Sequence, residues 1–499
     1  MPRLIDLDAA EAQEYLMKPE CYFRSDFPPY IGFQKILSDV AEAMGENSYT
    51  SFQKPKPNRA FEMSGVNYEI ISTKDGRFAW RPFELIHPAI YITLVRTLSE
   101  PDNWKLLQDR FHTLHAGVVE CTGFPVASNG GDGHDAAQVM NWWLRYEQRT
   151  LELSLDYSHI LKTDVTNCYG SLYTHSIVWA LHGMDEAKQK NGDLLGDKID
   201  RHIQNSRFGQ TNGITQGSVL MDLVAELVLA YVDHMVTEEL SGEKDYHILR
   251  YRDDYSIFTN NDQRGAEVAK VISDCLRRVG MQLGASKTSQ STNIVEAGIK
   301  PEKLAAIQLE DMDISQAKTF QKQLLRIHSF ARKYPHSGSL NRLLDNAFQN
   351  LLAVENAPDD LSVQVAIMCD IAIISPRAFP AISGILAKLI SWAPEADRPA
   401  LWGRVASKMK RIPHNGHLEI WLQRVTKAKG VGLSFESSEP ICRIVDGEQP
   451  QLWNNDWISS QKLVEALDVS KLLSGKPEDY EPVPDVSELS LFRKYAEFS

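Results

Sequence analysis

Three aspartates carry the chemistry that this sequence most clearly allows, and two of them are adjacent. Asp253 and Asp254 stand between two short runs of aromatic and aliphatic residues, 247–251 and 255–258. Such runs are typical of strands, and the segment Arg252-Asp253-Asp254 is typical of a tight hairpin turn. Carboxylates at a hairpin tip can hold divalent metal ions if a second acidic element packs beside them. Most isolated Asp-Asp pairs are solvated turns, so the rest of the chain must supply the missing parts.

The second acidic element lies well upstream of this pair. An apolar strand is predicted at 160–163, and it ends on Asp164 before a turn and a helix that Gly183 closes. A carboxylate at the end of a strand is a suitable metal ligand, because Mg²⁺ and similar ions prefer oxygen donors. The alternative is that Asp164 only caps the helix that follows it.

Two further elements are suited to binding a nucleotide. Gly213 and Gly217 allow a ligand to approach the backbone closely, and the amides near Gln216 open a long apolar helix. Lys287 follows a short strand and turn that would bring it near the same pocket. The alternatives are an ordinary glycine turn before a core helix and a lysine on the surface.

A basic hairpin is predicted near the end of the first hundred residues. Residues 67–73 alternate as a strand does, and 77–86 can return antiparallel to them. Arg77 and Arg81 on the returning strand could hold a triphosphate through charge-assisted hydrogen bonds. Surface arginines on an ordinary hairpin are an equally open alternative.

Composition indicates a globular protein of about three domains. The chain has 499 residues, of which 43% are hydrophobic, and its six cysteines are scattered. Because no CxxC pair occurs, we expect reduced thiols in a cytoplasmic protein, with neither a disulfide framework nor a zinc site. No apolar run is long enough to span a bilayer and no signal-peptide pattern is visible, so we expect no membrane association.

The charge balance bears on the partners of the protein. The net charge is −13, and residues 1–310 hold 31 basic and 43 acidic side chains, whereas 311–499 hold 22 and 23. A protein that grips a long duplex usually presents a basic surface, because phosphate neutralisation dominates that affinity. The acidic balance argues against such a partner for the chain as a whole, although local basic patches stay open.

From about residue 312 to 470 the pattern changes to successive helices, such as 320–333 and 361–374, separated by proline and glycine. Helices without intervening strands suggest a HEAT-like or irregular α-solenoid. The most basic stretch of the chain lies here, at 404–429. It could contact a nucleic-acid backbone, and a solvated helix face is the alternative.

Four of these elements occur in a fixed order. They are Asp164 with Tyr169 five residues later, Gly213-x-x-Gln216-Gly217-Ser218 before a helix, Tyr251-x-Asp253-Asp254, and Ser286-Lys287-Thr288. This order and spacing resemble palm motifs A to D of reverse transcriptases. The segment 172–179 and the helical C-terminal region further resemble the abortive-infection (Abi) reverse transcriptases of bacteria and prophages, the AbiK-like group. One departure is Thr215, where many reverse transcriptases have proline.

The resemblance implies an α+β fold. Fingers and a palm with an antiparallel sheet would precede an all-α HEAT-like domain that replaces the usual thumb. It places the N-terminal region and fingers at 1–150, the palm at 151–310 and the helical domain at 311–499. It also implies two-metal nucleotidyl transfer with Mg²⁺ or Mn²⁺ and deoxynucleoside triphosphates.

The resemblance also implies how the acidic residues divide their roles. Asp164 and Asp253 would bridge the two metals, and Asp254 would be a weaker or outer ligand. The carbonyl of Val165 would complete one metal site.

The remaining motif residues would handle the substrates. Tyr169 would exclude a ribose 2′-hydroxyl, and Tyr251 would touch the growing 3′ end. Gln216 and Gly217 would line the nucleotide pocket, and Lys287 would assist the leaving pyrophosphate.

The activity implied is template-independent DNA synthesis in phage defence, primed by a tyrosine hydroxyl of the protein. Its single-stranded product would be covalently attached, and the chain would form a homo-oligomer in the bacterial cytoplasm. Tyr15, Tyr22 and Tyr30 are candidate priming residues, each with a packed aromatic as the alternative. Two other functions stay open: templated, RNA-directed DNA synthesis, and a non-catalytic helical scaffold with a vestigial palm.

Overall fold

The computed structural model describes residues 2–24, 26–73, 78–128, 138, 140–189, 192–242, 244–311, 319–357, 361–413 and 415–489. Arg77, one of the two predicted triphosphate ligands, lies outside the described residues. The described part of the chain builds two sheets, the helices that cover them, and a long array of C-terminal helices.

The described residues form two β-sheets. The smaller one is an antiparallel hairpin of β1 (Tyr68–Thr73) and β2 (Trp80–Leu85), as the alternating pattern predicts. The larger one has the strand order β3-β5-β6-β4-β7. Its strands are β3 (Val119–Cys121), β4 (His159–Asp164), β5 (Tyr246–Tyr251), β6 (Asp254–Thr259) and β7 (Ser289–Ser291).

The larger sheet is mixed, so the prediction of an antiparallel palm sheet is wrong at one edge. β4, β5, β6 and β7 pair antiparallel, but β3 runs parallel to β5. Parallel neighbours need a long crossover connection, and the chain between β3 and β5 supplies one that contains several helices. The α+β class and the palm hairpin are confirmed.

Helices of the first three hundred residues surround these sheets. They are α1 (Ala9–Leu16), α2 (Pro19–Tyr22), α3 (Gln34–Met44), α4 (Pro88–Leu98), α5 (Pro101–Leu114), α6 (Gln148–Glu152), α7 (Cys168–Ser171), α8 (Ser176–His182), α9 (Met184–Gln189), α10 (Leu195–Ser206), α11 (Val219–Glu239), α12 (Asp262–Arg278), α13 (Ile294–Gly298) and α14 (Pro301–Asp311). A π-helical turn, Trp143–Glu147, directly precedes α6.

Helix α11 is the central support of the palm. It is apolar on nearly all sides, which is typical of a helix buried in a core. Ser218 caps it by accepting a hydrogen bond from the Met221 amide at 3.2 Å. Across the described part of the chain, no helix combines the length and the hydropathy needed to cross a bilayer.

The C-terminal region is helical, as predicted. Its helices are α15 (Phe320–Lys333), α16 (Gly338–Leu352), α17 (Leu361–Ile374), α18 (Phe379–Ser391), α19 (Arg398–Met409), α20 (Gly416–Lys427), α21 (Pro440–Val445), α22 (Gln461–Ala466) and α23 (Val486–Leu489). From α15 to α20 each helix packs against the next but one. That arrangement is typical of stacked helical pairs, and the HEAT-like label stays a prediction.

The chain beyond α20 returns to the first core. Residues of the segment 440–472 belong to the same hydrophobic cluster as α4 and α11, and they do not join the core of the helical array. Trp453 donates its indole N–H to the Leu85 carbonyl at 3.2 Å, and Trp457 is fully buried against His87. A domain boundary at residue 310 therefore separates the segment 440–472 from the hydrophobic core to which it belongs.

Several basic side chains of the stretch 404–429 are paired with acidic residues, so the stretch presents less positive charge than its sequence suggests. Arg424 is fully buried and donates to Glu488 from two nitrogens at 3.0 to 3.1 Å. Lys408 pairs with Asp370, and Lys429 pairs with Glu481. A solvated helix face, the alternative to nucleic-acid binding, fits most of this stretch. Neither interpretation anticipated that Arg424 would form a buried ion pair with Glu488.

The buried His87 makes stability depend on pH. Burial lowers the pKa of His87 to about 4, against about 6.5 for an exposed histidine. Between these values the unfolded chain binds a proton that the folded chain does not, so stability is lost as pH falls through that window. We expect the free energy of unfolding to be lower at pH 5 than at pH 7 by roughly 2 kcal/mol from His87 alone.

Urea unfolding at the two pH values measures this loss. His202, whose pKa burial also lowers to about 4, acts in the same direction. His87→Gln should therefore lose only its own share of the pH dependence, whereas His112→Gln, on an exposed face, should behave as wild type. Equal pH dependence of His87→Gln and wild type would contradict the prediction.

Candidate active site

Strand register brings the predicted aspartates together. In the antiparallel pair of β4 and β6, Asp164 lies directly opposite Asp254. The Val165 amide donates to the Asp253 carbonyl at 2.9 Å, which fixes the hairpin tip against the end of β4. Two acidic elements far apart in sequence thus meet at one edge of the sheet, although the metal-ligand role of the Val165 carbonyl stays a prediction.

The hairpin turn is tighter than a generic loop. Tyr251 and Asp254 are register partners, so Arg252 and Asp253 alone form the turn. Arg252 has a φ of 53°, a left-handed conformation that is uncommon outside glycine. Arg250 donates to the Arg252 carbonyl at 3.0 Å. A Cβ at Gly123 would lie 2.2 Å from the Arg252 amide nitrogen, so only glycine lets that neighbouring loop pass the turn.

Burial and neighbouring carboxylates shift the pKa values of two of the aspartates. Burial raises the pKa of Asp254 to about 6, and the Asp253 carboxylate adds to this shift, although part of the side chain opens to the cleft. Burial also raises the pKa of Asp253, and Asp164 acts in the same direction. A positive charge nearby favours the ionised form of both carboxylates.

Lys287 supplies one such charge. Its ammonium forms an ion pair with one carboxylate oxygen of Asp164, and this bond raises the pKa of Lys287. The predicted placement of Lys287 beside the aspartates is therefore observed. Gly284 makes the contact sterically feasible, because a Cβ there would lie 2.2 Å from the other Asp164 oxygen, Oδ1.

The donor set suits a hard divalent cation. Asp164 Oδ1 is buried, and it has no hydrogen-bond partner among the described residues. A buried carboxylate oxygen without a partner is costly unless a cation or donor approaches it. Together with Asp253 and Asp254 it offers oxygen ligands of the kind that Mg²⁺ and Mn²⁺ prefer. The chemistry of these donors therefore fits the metals that the resemblance implies, although their carboxylate oxygens do not all lie within 4.8 Å of one another.

Asp222 is a functional residue that sequence analysis missed. The Tyr169 hydroxyl donates to Asp222 at 2.5 Å. Arg252 pairs with the same carboxylate at 3.2 Å, and Arg24 also forms an ion pair with it. This cluster fixes the ring of Tyr169 at the wall of the cleft and ties the hairpin turn to helix α11. Burial raises the pKa of Tyr169, and Asp222 adds to the effect, so its hydroxyl stays a donor.

A signal for Asp222 was present in the sequence. Asp222, Glu226 and Asp233 are acidic residues in an otherwise apolar helix, and their spacing of four and seven places them on one face. Charged residues are almost never fully buried unless paired, so three in one stripe predict partners. The Arg250 guanidinium donates hydrogen bonds to both Glu226 and Asp233, at 2.6 to 3.0 Å.

This second acidic group supports the hairpin from behind. Burial alone would raise the pKa of Glu226, but Arg250 and His115 lower it to about 2. Among the described residues, His115, Cys121 and Glu226 have ligand atoms within 4.8 Å of one another. Because the guanidinium of Arg250 already neutralises Glu226, we interpret this group as a buried ion pair that positions β5 rather than as a metal site.

The glycine loop before α11 lies where the sequence predicted. The Gln216 carbonyl accepts from the Glu84 amide at 2.9 Å, and the Gly217 carbonyl accepts from the Arg24 amide at 2.7 Å. Gly217 has a φ of 135°, and a Cβ there would press on the Phe23 ring at 3.1 Å. The loop is thus clamped to the β1–β2 hairpin, which carries Arg81.

A single cleft joins most of the predicted substrate residues. It has a volume of about 550 Å³. Its lining includes six of the predicted site residues, Arg81, Tyr169, Gln216, Gly217, Tyr251 and Asp254, but neither Asp164 nor Asp253. Residues of the C-terminal array, among them Ser337, Ser375, Arg377 and His417, form the opposite wall.

Aromatic rings continue from the catalytic hairpin along the cleft. Tyr251 lies 5.8 Å from Tyr146, and Tyr146 lies 6.2 Å from Trp142, measured between ring centroids. The ammonium of Lys300 sits 4.6 Å from the Trp142 ring. Tyr251 and Trp142 both face the cleft. The predicted contact of Tyr251 with a 3′ end stays a prediction.

The three candidate priming tyrosines lie in the N-terminal core and do not line this cleft. Tyr15 is 5% exposed, and Tyr22 and Tyr30 are fully buried. Tyr22 donates to the Ile86 carbonyl at 2.5 Å. Their burial favours the alternative of packed aromatics, and in this conformation none presents its hydroxyl to the aspartates.

Comparison with known proteins agrees with this geometry. Residues 125–323 match the family described as reverse transcriptase (RNA-dependent DNA polymerase), which indicates a nucleotidyltransferase. A search of curated proteins gives no match.

Two solved structures are similar in fold over part of the chain. One is a telomerase from Candida albicans with a fragment of telomeric RNA, at 11% identity and a TM-score of 0.31, covering 75% of this chain and 65% of that one. Another is a telomerase from Candida tropicalis in a similar complex, at 14% identity and a TM-score of 0.29, covering 76% and 64%. This chain thus spans just under two thirds of these telomerases, and similarity at this level carries no argument about its activity.

Gly284 provides a direct test of the metal site. Gly284→Ala places a methyl group against Asp164 Oδ1 and should displace that carboxylate, so Mg²⁺-dependent nucleotide incorporation should fall about tenfold or more. Gly403→Ala is the matched control, because nothing lies within 4 Å of the added Cβ in helix α19. Thermal melting should show both variants folded. Activity of Gly284→Ala equal to that of Gly403→Ala would contradict the assigned role of Asp164.

Proposed function

We propose that this chain, which carries a reverse transcriptase domain at residues 125–323, is a DNA polymerase that extends deoxynucleotide strands without reading a template. The observation that carries the proposal is that Asp254 and Tyr169 line one cleft, with the C-terminal helices as its far wall, while the strand register sets Asp164 opposite Asp254. The aspartates supply the chemistry, Tyr169 selects the sugar, and the volume of the cleft limits what else can enter.

The chemistry depends on how the three aspartates would share two metal ions. Two divalent ions, when bound, activate the attacking hydroxyl and neutralise the triphosphate. As the resemblance implies, Asp164 and Asp253 would hold both ions and Asp254, which lies opposite Asp164 in the strand register, would be the outer ligand. Lys287, whose pKa is raised by its bond to Asp164, remains protonated and can donate a proton to the leaving pyrophosphate.

Sugar selection follows from the fixed position of Tyr169. Its hydroxyl is held by Asp222, so the ring cannot swing away from the cleft without breaking a buried hydrogen bond. A rigid ring beside the sugar would exclude a 2′-hydroxyl by contact. We infer that deoxynucleotides are the substrates.

Two features support synthesis without a template. The cleft has a volume of about 550 Å³, in the range of small-ligand pockets, and helices of the C-terminal array form one wall. The first 310 residues hold twelve more acidic than basic side chains, which is unfavourable for gripping a duplex. A nucleotide and a short single strand fit these conditions better than a long helix.

The proposal extends to priming and biological role through the resemblance to abortive-infection reverse transcriptases. In that case a tyrosine hydroxyl of the protein starts the strand, the single-stranded DNA stays attached, and a homo-oligomer acts in phage defence. Tyr15, Tyr22 and Tyr30 are buried, so any of them would need a local rearrangement to reach the aspartates. An exposed tyrosine elsewhere in the chain, or a tyrosine of a second copy of the chain, would satisfy the same chemistry as a primer.

A templated, RNA-directed mode is the second candidate. It is favoured by the family description that matches residues 125–323. Thr215, where many reverse transcriptases have proline, is buried beside the loop that carries Gln216 and Gly217. The departure from the reverse transcriptase motif therefore lies on the side of the site that would hold a template. A non-catalytic scaffold is disfavoured by the intact set of aspartates.

Self-labelling separates these functions. Purified protein is incubated with radiolabelled dATP and Mg²⁺ or Mn²⁺, without nucleic acid, and then denatured. We expect label on the protein band, because strand and primer would be one covalent molecule. Asp253→Asn, which removes a metal ligand with little change in volume, should abolish the label.

The controls for this assay decide between modes. Label that appears only after a primed RNA template is added would favour the templated mode and contradict the proposal. Mass spectrometry of the labelled peptide identifies the priming residue. In a phage-plating assay, full protection by Asp253→Asn would favour the scaffold.

The sugar gate has its own test. Tyr169→Ala should raise the use of ATP relative to dATP by about tenfold or more, the scale on which one steric contact changes discrimination. Tyr169→Phe keeps the ring and loses only the bond to Asp222, so it should retain most discrimination. Steady-state kinetics with both nucleotides measures the ratio. Unchanged discrimination in Tyr169→Ala would remove Tyr169 from this role.

A further inference from the structure

A second groove lies in the C-terminal array, between α15, α17 and α19, and is called the array groove below. These three helices pack side by side, α15 against α17 and α17 against α19. The array groove has a volume of about 450 Å³. It shares no lining residue with the cleft beside the aspartates, and no residue of the four motifs lines it.

Part of the lining of the array groove is aliphatic and exposed. Leu325 of α15 is 47% exposed, and Val363 of α17 is 42% exposed. Ala366 and Ile367 continue the lining one turn further along α17, on the same face of that helix. Single exposed aliphatic side chains are ordinary, but several that share one groove indicate a contact surface.

The charged side chains that line the array groove are mostly basic. Arg404 and Lys408 lie one turn apart on α19 and both line it. Asp370 is the one acidic residue in this lining, and it pairs with Lys408 at 3.3 Å and with His328 at 2.7 Å. Arg404 is exposed and forms no ion pair with any residue that the structure describes. A carboxylate of a ligand can therefore pair with Arg404 without breaking an internal ion pair.

The three helices around the array groove are basic in a protein that is acidic as a whole. The chain has a net charge of −13. In α15, α17 and α19 the only acidic residue is Asp370, and the basic residues are Lys322, Arg326, Arg332, Lys333, Arg398, Arg404 and Lys408. Complementary charge speeds encounter and suppresses wrong partners, so this row of helices favours an acidic partner.

The other row of the array has a different task. Residues of α16 and α20 line the cleft beside the aspartates, whereas α15, α17 and α19 contribute none to it. The array therefore serves the cleft with one row and leaves the basic row for another contact.

The chemistry of the array groove favours a peptide over other partners. Unpaired nucleic-acid bases stack on aromatic rings, and no aromatic ring lines the groove except the imidazole of His328, which Asp370 already holds. A stable contact between two proteins involves about 20 to 30 residues on each side, whereas nine residues line the groove. An amphipathic helix fits better, because its aliphatic side chains enter a groove while its carboxylates pair with basic groups beside it.

We propose that the array groove binds an acidic amphipathic helix of a partner protein. Leu325 and Val363 contact the aliphatic side chains of that helix, and Arg404 pairs with one of its carboxylates. The inference goes beyond the proposed function and does not depend on it, because no residue of the groove belongs to the site of synthesis.

Fluorescence anisotropy with the full chain tests the proposal without any synthesis. The probe is a labelled peptide of about fifteen residues, the length at which isolated helices become marginally stable. It carries leucines four residues apart on one face and glutamates beside them. We expect saturable binding of this probe. A twin with lysine in place of glutamate, and a scrambled peptide of the same composition, should bind about tenfold or more weakly.

Two variants of the chain separate the charge from the apolar contact. Arg404→Glu and Leu325→Ser should each weaken binding of the probe by about tenfold or more. Arg332→Glu is the matched control for charge, because Arg332 is exposed on α15 and does not line the array groove. Val354→Ser is the matched control for the apolar contact, because Val354 is exposed outside the groove. Both controls should bind as wild type.

Several outcomes would overturn the proposal. They are no saturable binding of the probe, equal binding of the scrambled peptide, and equal affinities of Arg404→Glu and Arg332→Glu. An oligothymidylate that displaces the probe and binds Arg404→Glu more weakly than wild type would assign the groove to nucleic acid instead. A dimer in sedimentation that Arg404→Glu dissociates would assign it to a second copy of the chain. Thermal melting verifies folding, and Arg404→Gln repeats the test if the charge reversal is unstable.

Discussion

The register between β4 and β6 is the constraint on which the rest of the site depends. It sets Asp164 opposite Asp254 and brings Asp253 to the end of β4. A shift of one residue would turn these side chains to the other face of the sheet and disperse the carboxylates. Burial raises the pKa values of Asp253 and Asp254, and the neighbouring carboxylates add to the shift. Cations from elsewhere in the chain approach this group and favour its ionised form.

The positively charged side chains lie in two groups, one beside the aspartates and one behind the sheet. Near the chemistry, Lys287 pairs with Asp164, and Lys300 and Lys162 oppose the shift at Asp254. Behind the sheet, Arg250 joins Glu226 and Asp233 of α11 and also holds the Arg252 carbonyl of the turn. The second group does not touch the cleft. Because removing one partner of a buried ion pair leaves an uncompensated charge, this group makes the hairpin rigid.

The sequence predicted the catalytic centre better than its surroundings. Strand alternation and turn residues are local signals, so the two hairpins and the strand ending on Asp164 were predictable. Asp222 was missed because its role depends on three partners distant in sequence. The parallel pairing of β3, the return of Trp457 to the first core and the burial of Arg424 were missed for the same reason. The array groove between α15, α17 and α19 depends on how these helices pack, which no local pattern encodes.

The central claim is that Asp164, Asp253 and Asp254 form a two-metal site. Counting bound Mn²⁺ by electron paramagnetic resonance, with a non-hydrolysable dATP analogue present, tests it most directly. The account predicts two ions per wild-type chain and fewer than two in Asp253→Asn, with folding unchanged. Two ions bound equally well by Asp253→Asn would contradict it.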